Sequence, residues 1–213
     1  MNKKLISLVL ALVLTLSVGF AFAENASPSV SPSTSPVTSA TLNVDATVSS
    51  LGVELPADFL ATIPQPSDAS EEEIAAAEET MAAISAFMTA NGLPVVEYFG
   101  LDVQAAISEK LPLNMAAEDL VMREFTALPL NEMAAAYDSA YGDIILQMSF
   151  AVDFAEGDAV VPVLGIMDAT TGTVTWIALD AVVNADGFVE ITFTADVLSQ
   201  IAEDSIVMLA ILA

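Results

Sequence analysis

Between Asp143 and Leu212 the chain runs through a train of short stretches rich in Val, Ile, Phe and Thr, parted at close intervals by Gly-Asp, Thr-Gly and Asp-Gly pairs. No other feature narrows the choice of fold so much. β-Branched and aromatic side chains suit a pleated, half-buried surface, and Gly beside Asp allows the tight reversals between such runs. The strands expected are residues 143–153, 159–167, 173–183, 188–194 and 205–212. Alternation is clearest in the fourth. Phe188, Glu190, Thr192 and Thr194 fall on one face, and Val189, Ile191 and Phe193 on the other. Asp196 is placed to cap one short helix over 197–202. The terminal apolar run is too short to cross a bilayer and has no basic stop, so it reads as a buried strand. These runs predict an antiparallel immunoglobulin-like β-sandwich over residues 116–213.

Upstream the pattern is helical. Ser70 is followed by Glu71, Glu72 and Glu73, a capping box with acidic residues at the positive end of the helix dipole. Ile74, Ala77, Met81, Ile84 and Met88 then recur every three to four residues, and Asn91-Gly92 supplies the stop, which predicts a helix over 71–90. Pro94 opens a second helix over 95–110, with Val96, Phe99, Val103 and Ile107 on one stripe. Gly100 weakens its middle, and Pro112 ends it. Residues 42–69, with Gly52, Pro56 and Pro64, predict short turns or one helical turn from Pro56. The mainly helical segment 42–115 must bury its apolar stripes against something, and the sandwich is the surface on offer. The fold class expected is therefore α+β.

The first residues address compartment. Lys3 and Lys4 precede an apolar run from Leu5 to Phe20, and Ala21-Phe22-Ala23 gives the small-x-small pattern of a signal-peptidase site, so residues 1–23 read as a signal peptide cut before Glu24. Residues 24–41, dominated by Ser, Pro and Thr, read as a disordered, solvated linker. Beyond residue 23 only Lys110 and Arg123 stand against 29 acidic residues, a net charge of −27. That charge excludes nucleic acid and anionic membrane as partners, since both are held by Lys and Arg. It keeps an exported chain soluble and suits cationic partners.

The chain has no His and no Cys. Triads built on either are impossible, as are zinc sites of the usual ligands, disulfides and a lipid on cysteine. What remains is carboxylate and hydroxyl chemistry. The densest polar cluster beside a strand runs from Tyr137 to Asp143. Asp138 and Asp143, with carbonyls of a Gly-containing turn, form a candidate oxygen site for calcium, although the spacing is not that of an EF-hand. The competing reading is structural: Asp138 closes a turn, Gly142 supplies an unusual backbone angle, and Tyr137 and Tyr141 cover the sandwich end. Glu156, Asp158 and Asp168 sit in hairpin loops. Asp168 is not followed directly by Thr-Gly and has no second copy, which argues against an aspartic-protease dyad. A carboxylate-dependent hydrolase needs a cleft with facing carboxylates and aromatic walls. Trp176, alone between Thr175 and Ile177, reads as a core residue, and Lys110 and Arg123 are each expected in an ion pair.

The chain resembles a loose group of uncharacterised secreted proteins from Gram-positive anaerobes. The likeness lies in Pro94 to Gly100, Tyr137-Asp138, Tyr141-Gly142-Asp143, Phe154 to Gly157, Gly165-Ile166, Trp176, Asp186-Gly187 and the terminal strand, over about residues 90–213. It implies a compartment and a fold, and no activity. The function expected is that of a non-catalytic secreted or cell-envelope accessory protein with an unidentified extracellular or cell-surface partner. A divalent-cation module and a secreted hydrolase are the alternatives.

Overall fold

The computed structural model describes residues 40–213. The expected signal peptide and the expected linker up to residue 39 lie outside the described residues. Ala40 is buried and Thr41 opens the first strand, so the folded part starts two residues earlier than the linker boundary at 41 implied.

The first strand, β1 (Thr41–Ser49), is followed by α1 (Ala57–Leu60), α2 (Glu71–Asn91) and α3 (Leu101–Lys110). Then come β2 (Met122–Ala127), α4 (Asn131–Ala136), β3 (Ile144–Ser149), β4 (Val161–Asp168), β5 (Val174–Ala178) and β6 (Asp180–Val183). The chain closes with β7 (Val189–Phe193), α5 (Ala195–Leu198) and β8 (Ser205–Leu212). The strands form two four-stranded antiparallel sheets, ordered β1-β3-β7-β6 and β2-β8-β4-β5. The class is α+β.

Strand β8 explains how the layers stack. All its residues are buried, because neither face meets water. Val207, Leu209 and Ile211 point into a core shared with Ile144, Leu146, Ile191 and Phe193 of the other sheet. Ile206, Met208, Ala210 and Leu212 point into a second core with Ala77, Ile84, Val96, Phe99 and Ile107 of the helical segment. The helices thus cover the outer face of β2-β8-β4-β5, and one sheet is packed on both sides. A strand in that position reads as a continuous apolar run.

Both halves of the predicted capping box form on α2. Ser70 Oγ accepts from the Glu73 N–H at 3.3 Å, and Glu73 Oε2 accepts from the Ser70 N–H at 2.7 Å. Gly92 ends the helix in a left-handed conformation. The second helical stretch divides where Gly100 weakens it. A 3₁₀ turn spans Val95–Phe99, Gly100 has φ 91° and ψ 164°, and α3 begins at Leu101.

Three departures have physical reasons. Strand β1 occupies the start of the stretch expected to be mainly helical. Its alternation is interrupted by a bulge between Asn43 and Val48, and its polar residues Asn43 and Asp45 suit an edge strand with one partner. The run 173–183 is two strands in different sheets. The chain crosses at Leu179, whose N–H donates to the Pro162 carbonyl at 2.8 Å, without a Gly or Pro to mark the corner. The short helix before β8 is capped by Thr194, whose Oγ1 accepts from the Val197 N–H, and Asp196 lies inside its first turn.

Candidate functional site

The polar loop Tyr137 to Asp143 connects α4 to β3 and is stitched to the end of β1. Ser49 Oγ donates to the Tyr141 carbonyl, the Asp143 N–H donates to Ser50 Oγ at 2.8 Å, and the Ser50 N–H donates to the Asp143 carbonyl at 2.8 Å. Asp138 caps the 3₁₀ turn Ser139–Tyr141, accepting from the Ala140 N–H at 2.9 Å. Tyr141 stacks obliquely on Phe59 of α1 with centroids 5.1 Å apart. Gly142 has φ 67°, and a Cβ there would lie 2.6 Å from Leu51 Cγ.

The two candidate ligands of this loop share one neighbour. Burial, the Asp143 carboxylate and the Asp138 carboxylate, in that order, push the Tyr137 hydroxyl above the ordinary phenol range. The carbonyls that would complete an oxygen site are engaged: Gly142 accepts from Tyr137 Oη at 2.8 Å, and Tyr141 from Ser49. Among the described residues no group of three or more acidic side chains converges in a metal-binding arrangement. Asp158 closes its own turn, accepting from the Ala155 N–H at 2.8 Å. Asp168 accepts from the Thr171 and Thr170 N–H groups at 2.8 Å each, and these bonds hold its carboxyl below the usual range.

Clefts on the described surface include three with acidic rims. One, about 600 Å³, lies between the turn after α1 and the start of α4, with Asp68, Glu132 and Glu203 around Pro64 and Pro129. A second, about 460 Å³, is lined by Thr171, Thr173 and Thr175 beside Asp168 and Asp204. The third, about 260 Å³, lies between the β3–β4 loop and the β6–β7 turn, walled by Phe150, Phe154 and Phe188 with Asp153 and Asp186. Sequence reasoning missed this constellation. Its signal was the spacing Phe150-x-x-x-Phe154 next to Asp153, and a Phe directly after the Asp186-Gly187 turn.

Glu124 was also missed. It sits on the face of β2 that looks toward the other sheet, is buried, and accepts from the Val152 N–H at 3.0 Å. Burial raises its carboxyl above the usual range, and the Val152 bond offsets part of that rise. Lys110 does form the expected ion pair, with Asp180 at 2.6 Å. Arg123 has no carboxylate in salt-bridge reach among the described residues, so that expectation is corrected: it stands exposed on the edge strand β2. Trp176 is half-buried under the helical layer, 4.9 Å from the Phe99 ring and 6.2 Å from Tyr98, and lines none of the three clefts.

No protein-family model, curated protein or solved structure matches this chain.

Proposed function

We propose that the chain is a non-catalytic secreted or cell-envelope accessory protein that acts by binding. One observation carries the reading: the carboxyl group with the environment of a general acid is in the wrong place for catalysis. Glu124 is buried and its carboxyl is raised above the usual range by that burial, yet it lines none of these three clefts. An acid catalyst must reach the group it protonates. The carboxylates that do line the Phe-walled cleft, Asp153 and Asp186, are exposed at its rim.

Export rests on the basic head, the apolar run and the Ala21-Phe22-Ala23 site, with cleavage before Glu24 and the Ser/Pro/Thr stretch as a spacer. The immunoglobulin-like assignment draws support from strand order. The sheet β1-β3-β7-β6 corresponds to A-B-E-D of that fold, and β4 beside β8 to C beside F, while β2 takes the place of G. Kinship with the secreted proteins of Gram-positive anaerobes belongs to the same proposal. So does an extracellular or cell-surface partner that is neither nucleic acid nor anionic membrane.

A second reading, a divalent-cation module at Asp138 and Asp143, is favoured by the field of both carboxylates at Tyr137. The engaged carbonyls of Tyr141 and Gly142 weigh against it.

Fractionation of producing cells, with N-terminal determination and a pull-down from extracellular material, tests the main reading. The expected result is a chain starting at Glu24 outside the cytoplasm, retaining a surface component. A chain starting at Met1 in the cytoplasm would overturn it.

A further inference from the structure

Asn91 and Gly92 close the exposed end of α2, and in sequence they are the chain's one Asn-Gly pair. Two hydrogen bonds restrain the pair. The Gly92 N–H donates to the Met88 carbonyl at 2.9 Å, and Asn91 Nδ2 donates to the Phe87 carbonyl at 2.8 Å. Thr89 Oγ1 adds a bond back to the Ser85 carbonyl at 2.9 Å. Otherwise the turn is open to water: Thr89, Ala90, Asn91 and Gly92 are all exposed, and the last turn carries no basic residue to offset the negative end of the helix. A Cβ at Gly92 would meet nothing within 4 Å, so no neighbour crowds that backbone position. Buried anchors flank the turn at Ile84 and Val95, which lets it open while the core stays packed.

An Asn followed by Gly readily loses its amide, because Gly has no Cβ to shield the backbone nitrogen. The Gly92 nitrogen gives its proton to solvent base and bonds to Asn91 Cγ, the Cγ–Nδ2 bond breaks, and ammonia leaves. Water then opens the resulting succinimide at either carbonyl, to aspartate or isoaspartate. Water is the only co-reactant. In the closed turn both groups are engaged, and the helical backbone at Asn91 holds the Gly92 nitrogen out of line with Cγ. We infer that Asn91 is a site of spontaneous deamidation, gated by fraying of the last turn of α2. The new carboxylate has no donor for the Phe87 carbonyl and sets a negative charge at the negative end of the helix. Isoaspartate also lengthens the backbone by one carbon. Each conversion therefore loosens, irreversibly, the cap that restrained it, whatever the chain binds.

The test is incubation of the whole protein in mildly alkaline buffer, with and without denaturing urea, followed by peptide mapping for the mass gain of an amide turned carboxyl and for isoaspartate. Asn114, exposed and followed by Met115, is the internal control. The expected result is conversion at Asn91 ahead of Asn114, faster by about tenfold or more once urea removes the fold. Ala90→Gly, an exposed change that favours fraying and leaves the reacting pair intact, should speed conversion of the folded protein severalfold. Asn91→Asp installs the product directly. It should let the Gly92 N–H exchange faster with solvent while the Ile84 N–H keeps its protection. Folded protein that keeps Asn91 over the time in which the denatured chain loses it would overturn the site. Equal rates with and without urea, or no acceleration in folded Ala90→Gly, would overturn the gating. Unchanged exchange at Gly92 in Asn91→Asp would overturn the loosened cap.

Discussion

Gly165 of β4 lies directly opposite Trp176 of β5 across the sheet that carries the helices, and the indole fills the space a side chain at 165 would occupy. A Cβ there would be 2.5 Å from the Trp176 ring and 2.9 Å from Met208 Cγ. The row Met208-Gly165-Trp176 therefore seats the indole flat enough for Phe99 and Tyr98 to close over it. Gly165→Ala is expected to destabilise the protein by about 1–3 kcal/mol through overpacking, measured by denaturant unfolding. Trp176 is the single tryptophan, so its emission should shift in the same variant. An unchanged midpoint would mean that the indole has room to move.

Glu124 should leave a pH signature. Its folded-state carboxyl is raised, first by burial, so its neutral form is the one the fold prefers. The stability this gives is present in full below the unfolded carboxyl's ordinary range and is lost as pH rises through the raised folded-state value. Glu124→Gln keeps an oxygen for the Val152 N–H and removes the charge. Its melting temperature should match the parent near pH 4 and exceed it near pH 7. A gap that is constant with pH would contradict the assignment.

The helical layer and the sheets share a core, so a local fault in α2 should appear globally. Ser70→Ala removes the Oγ that caps the Glu73 N–H and should cost about 1 kcal/mol. The loss should appear in a single unfolding transition followed by both helical circular dichroism and Trp176 fluorescence. A fragment of residues 116–213 lacks every apolar partner of Met208, Ala210 and Trp176 from α2 and α3, and it should not unfold cooperatively. If it does, the helices are an accessory to the two sheets rather than part of their core.

A net charge of −27 beyond residue 23 opposes compaction by self-repulsion. The melting temperature should rise with monovalent salt as the Debye length falls below about 10 Å. Calcium should add nothing once salt is high, since Asp138 and Asp158 close turns and the carbonyls near Asp143 are engaged. A calcium gain that persists in high salt would revive the oxygen site at Asp138 and Asp143.

Local rules made much of this fold legible. The capping box at Ser70, the break at Gly100, the strand alternation at Phe188 to Phe193 and the apolar run of β8 each declare themselves within a few residues. What stayed hidden depends on partners distant in sequence. Strand β1 is extended because β3 pairs with it, despite polar residues and a bulge. The corner at Leu179 is made by Pro162, which no local signal announces. The Phe-walled cleft needs two loops brought together by sheet pairing, so Phe154 and Phe188 look unrelated until β3 and β7 are neighbours.

The most direct test of the account is co-sedimentation of the purified protein with cell envelopes from the producing cells, over a range of protein concentration, with soluble products assayed in the same tubes. The account predicts saturable binding that survives competition by anionic vesicles and nucleic acid, with no release of envelope fragments. Absence of saturable binding, or steady release of soluble fragments, would contradict a non-catalytic binding protein.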